Sequence, residues 1–297
     1  MTNPSVAANP SATATRDRAL DPESFGLFLA VHVAALVGIV FTGISWFAVT
    51  LMVLSYIVRM WAITAGYHRY FSHRGFKTSR VFGFILGAIG TIGLQKGPLW
   101  WAAHHRRHHR RADTEDDLHS VHQEGFVWAY VGWAFASRNQ ADDYAAVRDF
   151  ARYPELRFLN HYHYVVPAIV AALVWIVFGT VAFVWVCVVP TVLQWHAIFA
   201  GNIYCHSYGK RWFDTPDFST NSLLFAFILL GEGWHNNHHY FPSSARQGFR
   251  WWEFDPTYYS LRLLQMLGIV WDLREVPDHL MAKALAPTLR HIGSRLR

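Results

Sequence analysis

The sequence predicts an all-α integral membrane protein with four transmembrane helices and a cytoplasmic helical cap that holds a histidine-rich metal site. Three observations predict it. No Asp, Glu, Lys or Arg occurs from Ser24 to Val58 or from Phe158 to Gly209, and uncharged runs of that length read as membrane spans. The composition is 53% hydrophobic and 15% charged, with 14 Trp, which departs from soluble usage. Outside the uncharged runs, histidines recur in tight groups: His68 and His73 in GYHRYFSH, His105, His108 and His109 in HHRRHH, and His235, His238 and His239 in GEGWHNNHHY.

The opening MTNPSVAANPSATATRDRAL is rich in Ala, Ser, Thr, Asn and Pro, and residues 1–23 read as a disordered tail. It lacks the apolar centre of a signal peptide. The first uncharged run divides into helices at about Phe25–Phe41 and Trp46–Thr64, joined by a turn near Gly43–Ser45. The second divides into about Tyr164–Phe178 and Phe183–Ala200, with a turn at Gly179–Thr180. Arg16 and Arg18 precede the first helix, and Arg59, Arg69, Arg74 and Lys77 mark the end of the second. Arg148, Arg152 and Arg157 precede the third span, and Lys210 and Arg211 follow the fourth. Positive flanks face the cytoplasm, so all three histidine groups fall on the cytoplasmic side.

Val81–Leu94 is apolar but short and glycine-rich, and is expected to lie in the interface. Ser222–Leu230 is also too short to span. Tyr258–Val270 shows helical periodicity and is expected to pack on the cap. No repeat or linker is visible, so residues 24–275 read as one domain, followed by a basic tail over 276–297. Cys187 and Cys205 form no CxxC pair, which excludes a disulfide framework, and Cys205 reads as a small buried thiol rather than a ligand.

The spacing i, i+3, i+4 places the imidazoles of each HxxHH group on one helix face. Eight imidazoles are too many for one ion of six or fewer ligands, so the groups ask for two metals. His206 adds a ninth candidate. Asn202, four residues earlier on the same face, either ligates directly, holds a metal-bound water, or merely caps its helix. His68 and His73 stand about 140° apart on an ideal helix. Either the helix frays at Tyr70–Ser72 or the two serve different metals. Glu232 is expected to hydrogen-bond a ligand histidine. Zinc would suit hydrolysis, but no nucleophile constellation accompanies the site, whereas redox-active iron able to activate oxygen fits a site facing a membrane. HHRRHHRR in this setting is no nucleic-acid patch; its arginines are expected to meet lipid or substrate phosphates.

The set GYHRYFSH, HRRHH, NIYCH and GEGWHNNHHYFP, in this order and with this topology, resembles the membrane-bound fatty acyl desaturases. The acyl-CoA delta-9 (stearoyl-type) branch matches best, from about Trp46 to Asp272. The resemblance implies four transmembrane helices and a cap enclosing two irons. It implies ligation by His68, His73, His105, His108, His109, His206, His235, His238 and His239, with Asn202 holding a metal-bound water. Gln95 and Trp101 align with residues that line the substrate tunnel. The implied reaction uses O2 and two electrons to place a cis double bond in a saturated acyl chain, with acyl-CoA as the expected carrier. Animal members carry Arg-Asp just before the second group, contacting the coenzyme A headgroup; here Ala103 and His104 stand instead. No cytochrome b5 module is visible, so electrons must come from a separate donor such as a ferredoxin, cytochrome b5 or a reductase.

Two rival functions remain. A di-iron hydroxylase would use the same oxidant to insert oxygen. A histidine-rich metal transporter would need polar ligands at mid-membrane depth, and the spans contain few.

Overall fold

The computed structural model describes residues 18–281; the remainder of both expected tails, with Arg16 and His291, lies outside the described residues. Residues 18–23 do not continue a featureless tail. Helix α1 (Pro22–Thr42) starts there, with the Asp21 carboxylate accepting the Ser24 amide at 2.9 Å and Pro22 in the first turn. It stops at Gly43, whose φ of 68° is open to glycine without strain. Ser45 then caps α2 (Trp46–Trp61) by accepting the Ala48 amide. The chain runs on from α2 without a break as a wider π-helix over Ala62–Ser72.

A short α3 (Arg80–Thr91) follows, then α4 (Pro98–Arg111) and α5 (Pro154–His161). Next come α6 (Val165–Ala182), a π-helical stretch Phe183–Val188, and α7 (Val189–Cys205). Three segments among the described residues are long and apolar enough to cross a membrane: Pro22–Thr42, Trp46–Ser72 and Val165–Cys205. The third, of 41 residues, is no single rod. At Gly179 the backbone takes φ 79° and ψ −176°, nearly the values of 68° and 177° at the Gly43 turn. Ala171 and Val174 pack against the cluster holding Val184, Trp185 and Val188. Along a straight helix, residues ten apart stand about 15 Å apart, so this segment is a hairpin folded at Gly179. The same cluster takes Ala35 from α1 and Ala48 from α2. The outward faces, with Val40, Phe41, Trp46, Ile176 and Phe178, stay exposed and apolar, as lipid contact requires.

Arg59 is buried in α2 with no carboxylate beside it. Its guanidinium donates to the Ile92 carbonyl at the end of α3, to Thr191 Oγ1 at 3.0 Å and to the Val186 carbonyl at 3.1 Å. Helix ends and π-turns leave carbonyls without intrahelical donors, and Arg59 supplies them.

The rest of the chain forms the cap. It contains α8 (Leu223–Ile228), α9 (His235–Tyr240) and α10 (Pro256–Met266). The helix expected over Tyr258–Val270 is therefore shorter at its far end. Its last residues leave the helix, and β2 (Val270–Trp271) pairs antiparallel with β1 (Lys77–Thr78), Lys77 opposite Trp271. The main core lies between the π-helix and the cap, built from Tyr67, Phe71, Leu86, Leu99, Phe150 and Leu261.

Candidate metal centre

The first histidine group owes its geometry to the π-helix. A ladder of i→i+5 bonds stacks residues five apart one above the other. His73 N donates to His68 O at 3.2 Å, one such bond, so both imidazoles enter one cluster. The helix neither frays nor sends them to different sites. It widens.

The nine candidate histidines form two sets whose ligand atoms lie within 4.8 Å of one another: His68, His73, His105, His109 and His238, and His108, His206, His235 and His239. The HxxHH groups do not each serve one site, as a single shared face would suggest. Helix α4 gives His105 and His109 to the first set and His108 to the second. Helix α9 does the reverse, giving His235 and His239 to the second and His238 to the first. Residues i and i+4 point together, and i+3 lies far enough round the helix to reach the neighbouring site.

Acids behind the rings fix the tautomers. His206 Nδ1 donates to Asp113 at 2.7 Å, His239 Nδ1 to Asp217 at 2.7 Å, and His108 Nδ1 to Asp117 at 3.0 Å. Glu232 pairs with His68 Nδ1, the role its sequence position suggested. Nδ1 protonation leaves each Nε2 a lone pair directed inward. Burial, then the neighbouring imidazoles, hold His105, His109, His235 and His238 far below the ordinary imidazole range, so they are neutral. For His108 burial acts downward, but Asp117 and then Asp113 outweigh it and raise the group.

The donor set fits a cation. His206 Nε2 and His239 Nε2, both lone-pair atoms, face His235 Nε2 at 3.0 and 3.1 Å. His235 has at most one proton to offer there, so one acceptor faces another. A metal ion between them resolves the conflict. In the other set His238 Nε2 faces both His68 and His109 Nε2 at 2.9 Å, and the same count fails.

The surrounding scaffold was only partly legible. Asp113, Asp117 and Asp217 had no assigned role, although they cluster in ADTEDD and FDTPDF. Arg106 does not meet lipid phosphate. It grips both oxygens of Asp149 at 2.8 Å and donates to the Ser72 and Phe71 carbonyls, which the π-helix end leaves free. Arg69 is buried between Glu232 and Asp255, tying the first group to the third. Asn236 and Asn237, between the histidines of α9, lock that short helix to loops. Asn236 Oδ1 accepts the Trp212 and Phe213 amides at 2.8 Å, and Asn237 Nδ2 reaches Glu253 at 2.8 Å.

A cavity of about 180 Å³ opens beside both sets. Its walls include Trp100, Trp101, Trp133, Trp195 and Phe199, together with Gln95, Asn202, His105, His108 and His235. Trp101 stacks on His105 at 4.8 Å and donates to Gln95 Oε1 at 3.3 Å, so the two tunnel candidates share one wall. Asn202 lines the cavity but belongs to neither set. Cys205 also touches the cavity while packing among Met60, Phe225 and Leu229, outside both sets. His119 stacks on His108 at 4.3 Å, and His122 donates to the His206 carbonyl at 2.7 Å. His32 and His196 pair at 2.8 Å, away from the metal sets.

Residues 44–269 match the family model described as fatty acid desaturase. The chain is 36% identical to the sn-1 stearoyl-lipid 9-desaturase of Anabaena variabilis, over 83% of this chain and 91% of that one. It is 36% identical to an acyl-CoA 5-desaturase of Anemone leveillei, over 82% and 76%. It is also 36% identical to the sn-2 palmitoyl-lipid 9-desaturase of a Nostoc species, over 82% and 86%.

Proposed function

The chain belongs to the fatty acid desaturase family, an oxidoreductase acting on fatty acyl chains, and from that premise we propose its reaction in finer terms. It removes two hydrogens from a saturated long-chain acyl group to leave a cis double bond, at the delta-9 position. O2, two electrons and two protons are consumed and two waters formed. The observation that carries this reading is the pair of converging imidazole sets beside one aromatic-walled cavity.

His68, His73, His105, His109 and His238 hold one iron; His108, His206, His235 and His239 hold the other, with Asn202 supporting a bound water. When bound, the irons supply the oxidising chemistry. The chain's own residues do the rest. Asp113, Asp117, Asp217 and Glu232 keep the ligand lone pairs aimed inward. Trp101, fixed on His105 and Gln95, sets the wall against which the acyl chain lies, and the surrounding tryptophans exclude water.

Membrane association follows from the apolar segments. We read the two hairpins, folded at Gly43 and Gly179, as four crossings with the cap on the cytoplasmic side. Residues 24–275 form the catalytic unit. A separate one-electron donor, such as a ferredoxin, cytochrome b5 or a reductase, docks on the cap.

Expression in a host lacking its own desaturase, with double-bond positions mapped in its fatty acids, tests the proposal. A new delta-9 cis bond is the expected result. Hydroxylated chains would instead establish oxygen insertion, and an unchanged profile would remove the reading.

A further inference from the structure

The cavity reaches the surface where two apolar segments begin. Ser24, Leu27 and Phe28 from the first turns of α1 and His163 and Tyr164 ahead of α6 line it there. Leu27 and Tyr164 are half exposed, on the outer face that the apolar helices present. Both stand at the ends of candidate spans, the depth at which lipid headgroups lie. An acyl chain still attached to a bilayer lipid reaches this opening sideways, without leaving the membrane.

The charges around the opening point the same way. Lys96 lines it, with its ammonium 5.5 Å from the Trp100 ring. The fields of Asp21, Glu23 and Asp142 reach Lys96, and those of Lys96 and Arg107 reach His104. Asp21 caps the helix that bears Ser24, and Asp142 accepts from Asn160, whose carbonyl bonds His163. Three carboxylates thus face two cations, a poor match for a polyanionic nucleotide carrier. His104 is bonded to the Trp100 carbonyl at 2.9 Å and buried enough to sit well below its ordinary range, so it adds no charge.

We propose that the substrate is an acyl chain esterified in a membrane glycerolipid with no net negative headgroup charge, entering between α1 and α6, rather than a coenzyme A thioester. This rests on the desaturase reading for its chemistry but on the shape and charge of the opening for its carrier.

The test uses the full chain in nanodiscs of phosphatidylcholine. Two photoactivatable probes are compared: a diazirine-stearoyl phosphatidylcholine in the bilayer and a diazirine-stearoyl-CoA added from solution. Labelled peptides are then mapped. The lipid probe is expected to label cavity-wall peptides several-fold more than the thioester. Leu27→Trp, which narrows the opening, should cut lipid labelling several-fold, and Glu23→Lys should raise thioester labelling. Preferential labelling of the cavity by the thioester probe, or lipid labelling indifferent to Leu27→Trp, would overturn the proposal. Because binding is read directly, this outcome stands apart from the appearance of double bonds in cells. An inactive protein that labels with lipid would sink the reaction and keep the carrier.

Discussion

His108 and His238 each cross to the set their helix neighbours do not serve: His108 leaves His105 and His109 to join His206, and His238 leaves His235 and His239 to join His68. Each helix therefore binds at both centres, and the two sites cannot be assembled independently.

Metal content is the first expected outcome. Purified protein should hold about two irons per chain, since the two sets offer five and four imidazoles within the ligand range of such ions. His238→Ala and His206→Ala should each lower iron and abolish product while the protein stays in the membrane. Elemental analysis reading one iron, or zinc in active enzyme, would contradict the assignment.

The acids behind the ligands give a graded effect. Asp217→Asn and Asp113→Asn should weaken metal retention by about 10–100-fold, the usual cost of losing a group that orients a ligand. The measurement is the rate of iron loss to a chelator. Asp116→Asn, on an exposed surface pair, should leave that rate unchanged.

Arg69 concerns folding rather than chemistry. It is buried between two carboxylates, and removing one partner of a buried pair costs about 3–5 kcal/mol. Arg69→Met should lower the melting temperature of the metal-free protein and the folded yield; a melting curve matching wild type would contradict that role.

The pH dependence of metal-free protein has a definite sign. Burial pushes His239 down from 6.5 to about 4. Below pH 6.5 the unfolded chain takes up this proton and the folded chain does not, so stability present at higher pH is lost as pH falls toward about 4. Chemical denaturation of chelated protein at a series of pH values checks this. A midpoint constant between pH 7 and 4.5 would refute it.

Topology follows from the two hairpins. Reporters fused after Thr78, Thr114 and Asp214 should all report cytoplasm, and insertions at Gly43 and Gly179 the opposite side. Helix α3, 12 residues long, is too short to cross. A reporter after Thr114 on the far side from one after Thr78 would dismantle the shared site.

Much of this was legible in the residues because membrane burial and metal ligation both leave local marks. Charge-free runs located both hairpins to within a few residues, and Gly43 and Gly179 stood where the backbone folds back. All nine histidines fell into the two sets. What stayed hidden depends on long-range partners. The π-helix at Ala62–Ser72 is set by tertiary contacts, so the spacing of His68 and His73 implied a conflict that the wider turn removes. Asp113 and Asp217 take meaning only beside His206 and His239, which are far from them in sequence or across a loop. Arg106 looked like a surface cation because its partner, Asp149, lies on another segment.

The crossed assignment of His108 and His238 also bears on how long the protein survives in a cell. Each iron bolts α4 to α9, so the metals fasten the cap shut as well as serving the reaction. A chain made under iron shortage keeps its apolar hairpins in the bilayer but has a cap held by fewer ties, with loops open to proteases. Iron supply then sets the enzyme's abundance through turnover, without any dedicated sensor.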